Sequence, residues 1–170
     1  MANSLHPQIF YLSICNRYDK PKNANQHSYV CIFFNIVNVN VQAIGIFYFA
    51  DYSQNWLGSS LFYFGVSIFF IGMFINIWSD YLIVALRKEN GPGYHIPNKF
   101  MHKYISAPNY FGEIVEWIGW ALLTWSVAGL VFALWTIANL FPRALAHHKW
   151  YQEKFDDYPK KRKAIIPGII

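Results

Sequence analysis

The chain has 170 residues, of which 55% are hydrophobic, 20% aromatic and only 14% charged. A soluble globular domain carries about 25% charged residues, so this composition argues against an ordinary soluble fold and favours helices in a bilayer. The net charge of +5 flanks apolar runs and does not follow one exposed face, which argues against a nucleic-acid-binding protein.

Three apolar stretches are long enough to span a bilayer, which takes about 17–25 residues as a helix. They cover residues 29–50, 57–86 and 109–146. Basic residues flank the third stretch on both sides, and Lys and Arg near membrane ends favour the cytoplasmic side, so this stretch should cross an even number of times. We therefore predict a hairpin of two short helices, residues 109–126 and 128–147, with one over-long tilted helix as the alternative.

The segment between the second and third stretches, residues 87–108, contains several helix-breaking residues, namely Gly91, Pro92, Gly93, Pro97 and Pro108. Such residues make turns, so we predict a cytosolic loop here and a cytosolic tail at residues 148–170. The GPG sequence in this loop is not a dinucleotide fingerprint, because it follows a helix and lacks the third glycine. The predicted fold class is all-α, an integral membrane helical bundle.

The polar residues within the apolar stretches are spaced so that they share one face of each helix, because positions i, i+3, i+4 and i+7 lie on the same side. The four faces hold Asn35, Asn38 and Gln42; Asn76, Asp80 and Arg87; Asn109, Glu113 and Glu116; and Arg143, His147 and Tyr151. Ionised side chains are costly in hydrocarbon, so we expect these faces to be directed inward. Hydrogen bonding between helices is the other explanation, and we prefer it for Asn35 and Asn38.

The charged members of these faces favour a pocket for a charged ligand. Arginine binds phosphate oxygens through its planar fork, whereas carboxylates and amides bind ribose hydroxyls and carboxamides. Phosphates, sugars and an amide together describe a dinucleotide, which is the ligand we infer. No metal is expected, because His147 and His148 have no companion at a chelating spacing and the two cysteines, Cys15 and Cys31, form no metal motif.

The strings INIWSDYLIVALRK, SAPNYFGEIVEWIGWALLTWS and RALAHHKWYQEKFDDYPKKRKAIIP resemble the steroid 5-alpha-reductases, or 3-oxo-5-alpha-steroid 4-dehydrogenases, over about residues 33–170. The resemblance implies the last four or so transmembrane helices of a seven-helix fold in the endoplasmic reticulum membrane. It also implies NADPH as cofactor and a steroid substrate, with reduction of the 4,5 double bond of 3-oxo-delta-4 steroids such as testosterone or progesterone. Matched by motif, the cofactor-binding residues would be Asn76, Asp80, Arg87, Tyr94, Asn109, Glu113, Arg143, His147, Tyr151 and Arg17, with Glu116 and Arg162 as supports.

Departures from the family pattern bear on activity. The family hydrogen-bonds the steroid ketone through a Tyr and a Glu nearer the amino terminus. At the position expected for the Tyr the chain reads SLHPQ, and we expect the Glu to lie before the first residue, so the catalytic residues are unassigned. His95 replaces a family arginine, and Asp19 replaces a basic residue after Arg17. We therefore expect a partial chain that is inactive alone.

Four alternative functions remain at this point. One is a related membrane reductase that acts on enoyl-CoA or polyprenols, and another is a membrane methyltransferase that uses S-adenosylmethionine. The third is a membrane fragment that binds NADPH without turnover, and the fourth is a scaffold whose polar faces only hold the helices together.

Overall fold

The computed structural model describes residues 24–91 and 93–170, and these residues form four long helices. We number them α1 to α4: Ala24–Ile44, Ser60–Asn90, Pro108–Thr124 and Val127–Lys154. A π-helical turn, Gly45–Phe49, extends α1, and two short 3-10 helices, Trp56–Gly58 and Phe100–Lys103, lie in the connections. The predicted all-α fold class is confirmed.

Three helical segments of the described chain are long and apolar enough to cross a membrane, namely Ile32–Phe49, Ser60–Asn90 and Val127–Lys154. They carry many exposed large apolar side chains, such as Phe64 on α2 and Leu134 on α4. Apolar surface on this scale is unfavourable in water but suits lipid or further helices. The third helix, α3, has only 17 residues and packs against α2 on one side and α4 on the other.

Two helices continue beyond the ends predicted for them. α2 runs to Asn90 rather than to position 86, and it ends at Gly91, whose φ of 84° suits a residue without a Cβ. α4 runs to Lys154 rather than to position 147. The predicted ends followed the fall in hydropathy, but backbone hydrogen bonding does not depend on hydropathy, so both helices extend into polar sequence.

The described part of the amino-terminal unit, residues 24–50, consists of α1 with the π-helical turn. Most of the apolar side chains described in this unit are exposed, including Phe33 and Phe47, while Gln42 is buried. The exposed Asn40 donates its side-chain amide to the carbonyl of Ile36 at 2.7 Å, which satisfies that polar group within the helix.

In the second unit, residues 51–170, α2 and α3 run antiparallel in backbone contact through glycines. A Cβ added to Gly72 or Gly112 would lie within 3.0 Å of the opposite helix's backbone, and the same holds one heptad away, at Gly65 and Gly119. Residues seven apart stay on the same seam of a helix pair, so the glycines form one continuous contact line. Small residues therefore allow the closest approach in the unit.

α3 and α4 form an antiparallel hairpin whose turn is Trp125 and Ser126. Trp125 has a left-handed backbone, with φ of 43°, and the Ser126 hydroxyl accepts a hydrogen bond from the Gly129 amide at 3.0 Å, which caps α4. Further along the hairpin, the rings of Trp117 and Phe132 meet edge to face with centroids 4.4 Å apart. The stretch predicted at 109–146 is thus two helices.

The carboxy-terminal segment, residues 155–170, docks beside the start of α3. The amides of Ser106 and Ala107 donate to the carbonyls of Lys163 and Ala164 at 2.8 and 3.1 Å. Ile165 is 1% exposed and packs with Ala107 and Ala144, so the segment is joined to both α3 and α4. This contact forms a small apolar core, which is separate from the exposed apolar surfaces of the three candidate membrane spans.

Candidate functional site

A buried polar layer lies between α2 and α3, beside the glycine contact. The amide of Asn109 donates to a carboxylate oxygen of Asp80 at 3.3 Å, and Asn76 hydrogen-bonds the carboxylate of Glu116. Asp80, Glu113 and Glu116 are each at most 7% exposed. The polar faces that helical spacing assigned to α2 and α3 therefore meet at one interface, because the glycines bring the two helices together there.

Glu113 is the carboxylate with unfilled hydrogen-bonding capacity in this layer. Its Oε2 is buried and has no hydrogen-bond partner within the described part of the chain. Asp80 and Glu116 are close enough to repel it, and Arg143 on α4 is close enough to attract it. A buried acceptor without a donor costs about 1–3 kcal/mol, so the position suits a hydroxyl or amide donor from a ligand.

A small cleft lies where α2 passes into the following loop. Its polar and aromatic walls are Arg87 from α2, Tyr94 and His95 from the loop, and Tyr151 from α4. His95 Nε2 lies 3.1 Å from the carbonyl oxygen of Gly91. A guanidinium that lines a cleft together with aromatic rings can bind an oxyanion bidentately while the rings contact the group that carries it.

Aromatic rings on α4 pack against one another and against the loop tyrosine that lines the cleft. The ring of His147 lies 4.7 Å from that of Tyr151, and the ring of Trp150 lies 4.7 Å from that of Tyr94. Tyr151 is 5% exposed although it lines the cleft. These contacts fix the α4 side of the cleft, since a close-packed aromatic ring cannot move without displacing its neighbours.

The residues assigned to a cofactor site thus fall into two groups. Around the buried layer lie Asn76, Asp80, Asn109, Glu113 and Arg143, and around the cleft lie Arg87, Tyr94, Tyr151 and His147. The two groups share α2, where Asp80 and Arg87 are seven residues apart, on the same face and about 10 Å apart along the axis. Arg17 lies outside the described residues.

Three buried residues near the cleft were not assigned to the site from the sequence. His102 is fully buried, and its Nε2 lies 3.4 Å from the Ser79 carbonyl, while Ser106 and Tyr158 hydrogen-bond each other at 2.5 Å. Burial lowers the pKa of His102 to about 4, and the hydrogen bond to the Ser79 carbonyl raises the pKa by a smaller amount. No spacing rule could find them, because their partners are 23 and 52 residues away.

Comparison with known proteins gives consistent matches over most of the chain. The family model described as 3-oxo-5-alpha-steroid 4-dehydrogenase matches residues 24–170. Steroid 5-alpha-reductase DET2 of Solanum lycopersicum is 42% identical over 165 residues, which is 95% of this chain and 63% of that protein.

Two further relatives agree with these matches. The chain is 45% identical over 141 residues to 3-oxo-5-alpha-steroid 4-dehydrogenase 1 of Rattus norvegicus, covering 83% of this chain and 54% of the relative. It is 50% identical over 139 residues to steroid 5-alpha-reductase DET2 of Arabidopsis thaliana, covering 80% of this chain and 53% of the relative. The chain therefore spans between half and two thirds of the length of these curated relatives.

Proposed function

The chain belongs to the 3-oxo-5-alpha-steroid 4-dehydrogenase family, and on that premise we propose that it provides the NADPH-binding part of a membrane steroid reductase. The reaction proposed is reduction of the 4,5 double bond of a 3-oxo-delta-4 steroid. One observation carries the proposal: a buried carboxylate and amide layer and an arginine-lined cleft lie on the same face of α2.

Each group of residues would bind a different part of the cofactor. Arg87 would pair with phosphate oxygens in the cleft that Tyr94 and Tyr151 also line. Asp80, Glu113 and the amide of Asn109 would bind hydroxyl and carboxamide groups, and Glu113 Oε2 is the buried acceptor that such a donor would satisfy. The cleft is small, so it would take only a part of a dinucleotide, and the rest of the cofactor would extend towards the buried layer.

The bilayer and the helices would supply the remaining conditions of the reaction. When bound, NADPH supplies the hydride that the alkene accepts. The apolar surfaces of α1, α2 and α4 place the chain in a membrane, proposed to be that of the endoplasmic reticulum, where an apolar steroid concentrates. Tight packing of α2 on α3 excludes water from the polar layer and strengthens its electrostatic interactions. We assign no residue of this chain to polarisation of the steroid ketone.

Titration of the purified protein with NADPH tests the proposal. Arg87→Ala removes the cleft guanidinium and should weaken NADPH binding at least about tenfold, because a charge-assisted hydrogen bond contributes about 1.5–3 kcal/mol. Lys88→Ala is the matched control, since Lys88 is the neighbouring basic residue and is exposed. Asp80→Asn should weaken binding as well, because it removes the charge that accepts from Asn109 and from the ligand.

Two results would contradict the proposal. The first is unchanged NADPH affinity in both Arg87→Ala and Asp80→Asn while the fold persists, which would leave the polar faces as packing. The second is binding of S-adenosylmethionine in place of NADPH, which would indicate a methyltransferase. Assays of NADPH oxidation with testosterone, an enoyl-CoA and a polyprenol, each with product analysis, separate the steroid reductase from the other reductases.

A further inference from the structure

The carboxy-terminal segment, residues 155–170, contacts one wall of the cleft through two aromatic residues, Phe155 and Tyr158, of which Tyr158 is the buried one. The ring of Phe155 lies 5.8 Å from that of Tyr151. Tyr158 is 5% exposed, and its ring stacks on that of Tyr151 with centroids 5.3 Å apart and planes inclined by 17°. Tyr151 in turn lines the cleft beside Arg87 and Tyr94. A ring that belongs to the segment therefore supports a ring that faces the ligand position.

The hydroxyl of Tyr158 is anchored by Ser106, which precedes α3 and is 3% exposed. Ser106 Oγ lies 2.5 Å from the Tyr158 hydroxyl and 2.6 Å from His148 Nδ1, and it donates to the Lys163 carbonyl at 3.0 Å. A serine hydroxyl donates once and accepts twice, so Ser106 accepts from both Tyr158 and His148.

The tautomer of His148 agrees with this assignment. If Nδ1 carries the proton donated to Ser106, then Nε2 must accept. The side-chain amide of Gln152 lies 2.9 Å from His148 Nε2 and can donate to it. The Ser106 hydroxyl, the Tyr158 hydroxyl and both ring nitrogens of His148 then have complementary partners, and a satisfied hydrogen-bond network holds its members in one arrangement.

Two further contacts hold the segment in place. The guanidinium carbon of Arg162 lies 5.0 Å from the centroid of the Tyr158 ring, and Arg162 is 3% exposed. Ile105 and Lys163 form a parallel backbone bridge, and the Ser106 amide donates to the Lys163 carbonyl at 2.8 Å. Tyr158 is thus fixed from its ring, from its hydroxyl and from the backbone that follows it.

We propose that Tyr158 is a positioning residue for the nucleotide cleft: anchored on Ser106, it holds the Tyr151 ring in the orientation that receives the cofactor. This inference rests on the proposed function, because the ligand in question is NADPH. A wall that is ordered in advance costs the ligand no ordering free energy. Loss of the hydrogen bond between Tyr158 and Ser106 lowers the fraction of molecules that can bind the cofactor. The apparent dissociation constant rises by the same factor, although no contact with the ligand is lost.

Two isosteric variants test the anchor from its two ends. Tyr158→Phe keeps the ring and its stacking but removes the hydroxyl, and Ser106→Ala removes the group that receives it. Each should raise the NADPH dissociation constant about fivefold, the change expected for loss of one hydrogen bond. Tyr104→Phe is the matched control, since it removes a hydroxyl from a 62% exposed tyrosine beside the same segment, and it should leave the affinity unchanged.

A double variant separates positioning from a merely structural role. Tyr151→Leu removes the ring through which Tyr158 acts, so adding Tyr158→Phe to it should cause no further loss of affinity. Independent effects on the fold would instead add. Additive losses in the double variant, or unchanged affinity in both Tyr158→Phe and Ser106→Ala, would overturn the inference.

Hydrogen–deuterium exchange without nucleotide makes the outcome independent of the proposed function. Peptides that cover residues 147–155 should exchange faster in Tyr158→Phe and Ser106→Ala than in the wild type and in Tyr104→Phe. Equal exchange in all four proteins would overturn the inference whatever the ligand is. Absence of NADPH binding by the wild type, with faster exchange in the two anchor variants, would count against the proposed function and leave the positioning of Tyr151 standing.

Discussion

Gly112→Ala probes one of the close backbone contacts of the described chain, where α3 meets α2. An added Cβ at this position would lie within 3.0 Å of backbone atoms of Asn76 and Gly72. Carbon atoms pack best about 3.5–4.0 Å apart, so the helices would have to separate by about 1 Å. That movement would lengthen the 3.3 Å hydrogen bond between Asn109 and Asp80 to about 4 Å, beyond the usual limit.

The sign of the stability change distinguishes a closely packed helix from an isolated one. In a helix without neighbours, Gly→Ala stabilises by about 1 kcal/mol. Overpacking costs about 1–3 kcal/mol, and loss of a hydrogen bond to a charged group costs about 1.5–3 kcal/mol. We therefore expect Gly112→Ala to destabilise the protein by about 2–4 kcal/mol and to weaken NADPH binding together with it.

Thermal unfolding in detergent, followed by circular dichroism, and NADPH titration measure the two effects. Gly58→Ala is the matched control, because an added Cβ there has nothing within 4 Å, and its unfolding midpoint should not fall. A Gly112→Ala protein that is as stable as the wild type, or more stable, would refute the close packing of α2 on α3. The polar layer would then need another explanation for its geometry.

Other predictions concern acid stability, capping and surface charge. Because burial lowers the pKa of His102 to about 4 from the ordinary histidine value of 6.5, the unfolded chain takes up a proton first as the pH falls. The contribution of His102 to the free energy of unfolding should be fully present above pH 6.5 and should fall by about 3 kcal/mol towards pH 4. Unfolding midpoints measured from pH 7.5 to 4.5 should therefore depend less on pH in His102→Gln than in the wild type. Ser126→Ala removes the cap on the Gly129 amide and should cost about 1 kcal/mol in the same unfolding assay, whereas no loss would mean that the turn does not depend on this cap. Glu153→Gln breaks an exposed ion pair with Lys149, at 3.7 Å, and should change stability by less than about 0.5 kcal/mol; a larger loss would show that the pair is not screened by solvent.

The sequence by itself determined which segments are helical and which side chains share a face. These properties are local: the length of an apolar run and the 3.6-residue repeat depend only on neighbouring positions. They were enough to place Asp80 with Arg87 on one face and Asn109 with Glu113 on another. They were also enough to predict an all-α membrane bundle, and the family motifs lie on these same faces.

Tertiary structure alone decided which faces meet and what closes the cleft. The contact of α2 with α3 depends on glycines 40 residues apart (Gly72 and Gly112) and 54 residues apart (Gly65 and Gly119), and a glycine in an apolar run gives no local sign of its partner. Ser106 and Tyr158 are 52 residues apart and are joined only when the carboxy-terminal segment docks beside α3. Periodicity shows the direction in which a side chain points along its own helix, whereas its partner is selected by packing between distant parts of the chain.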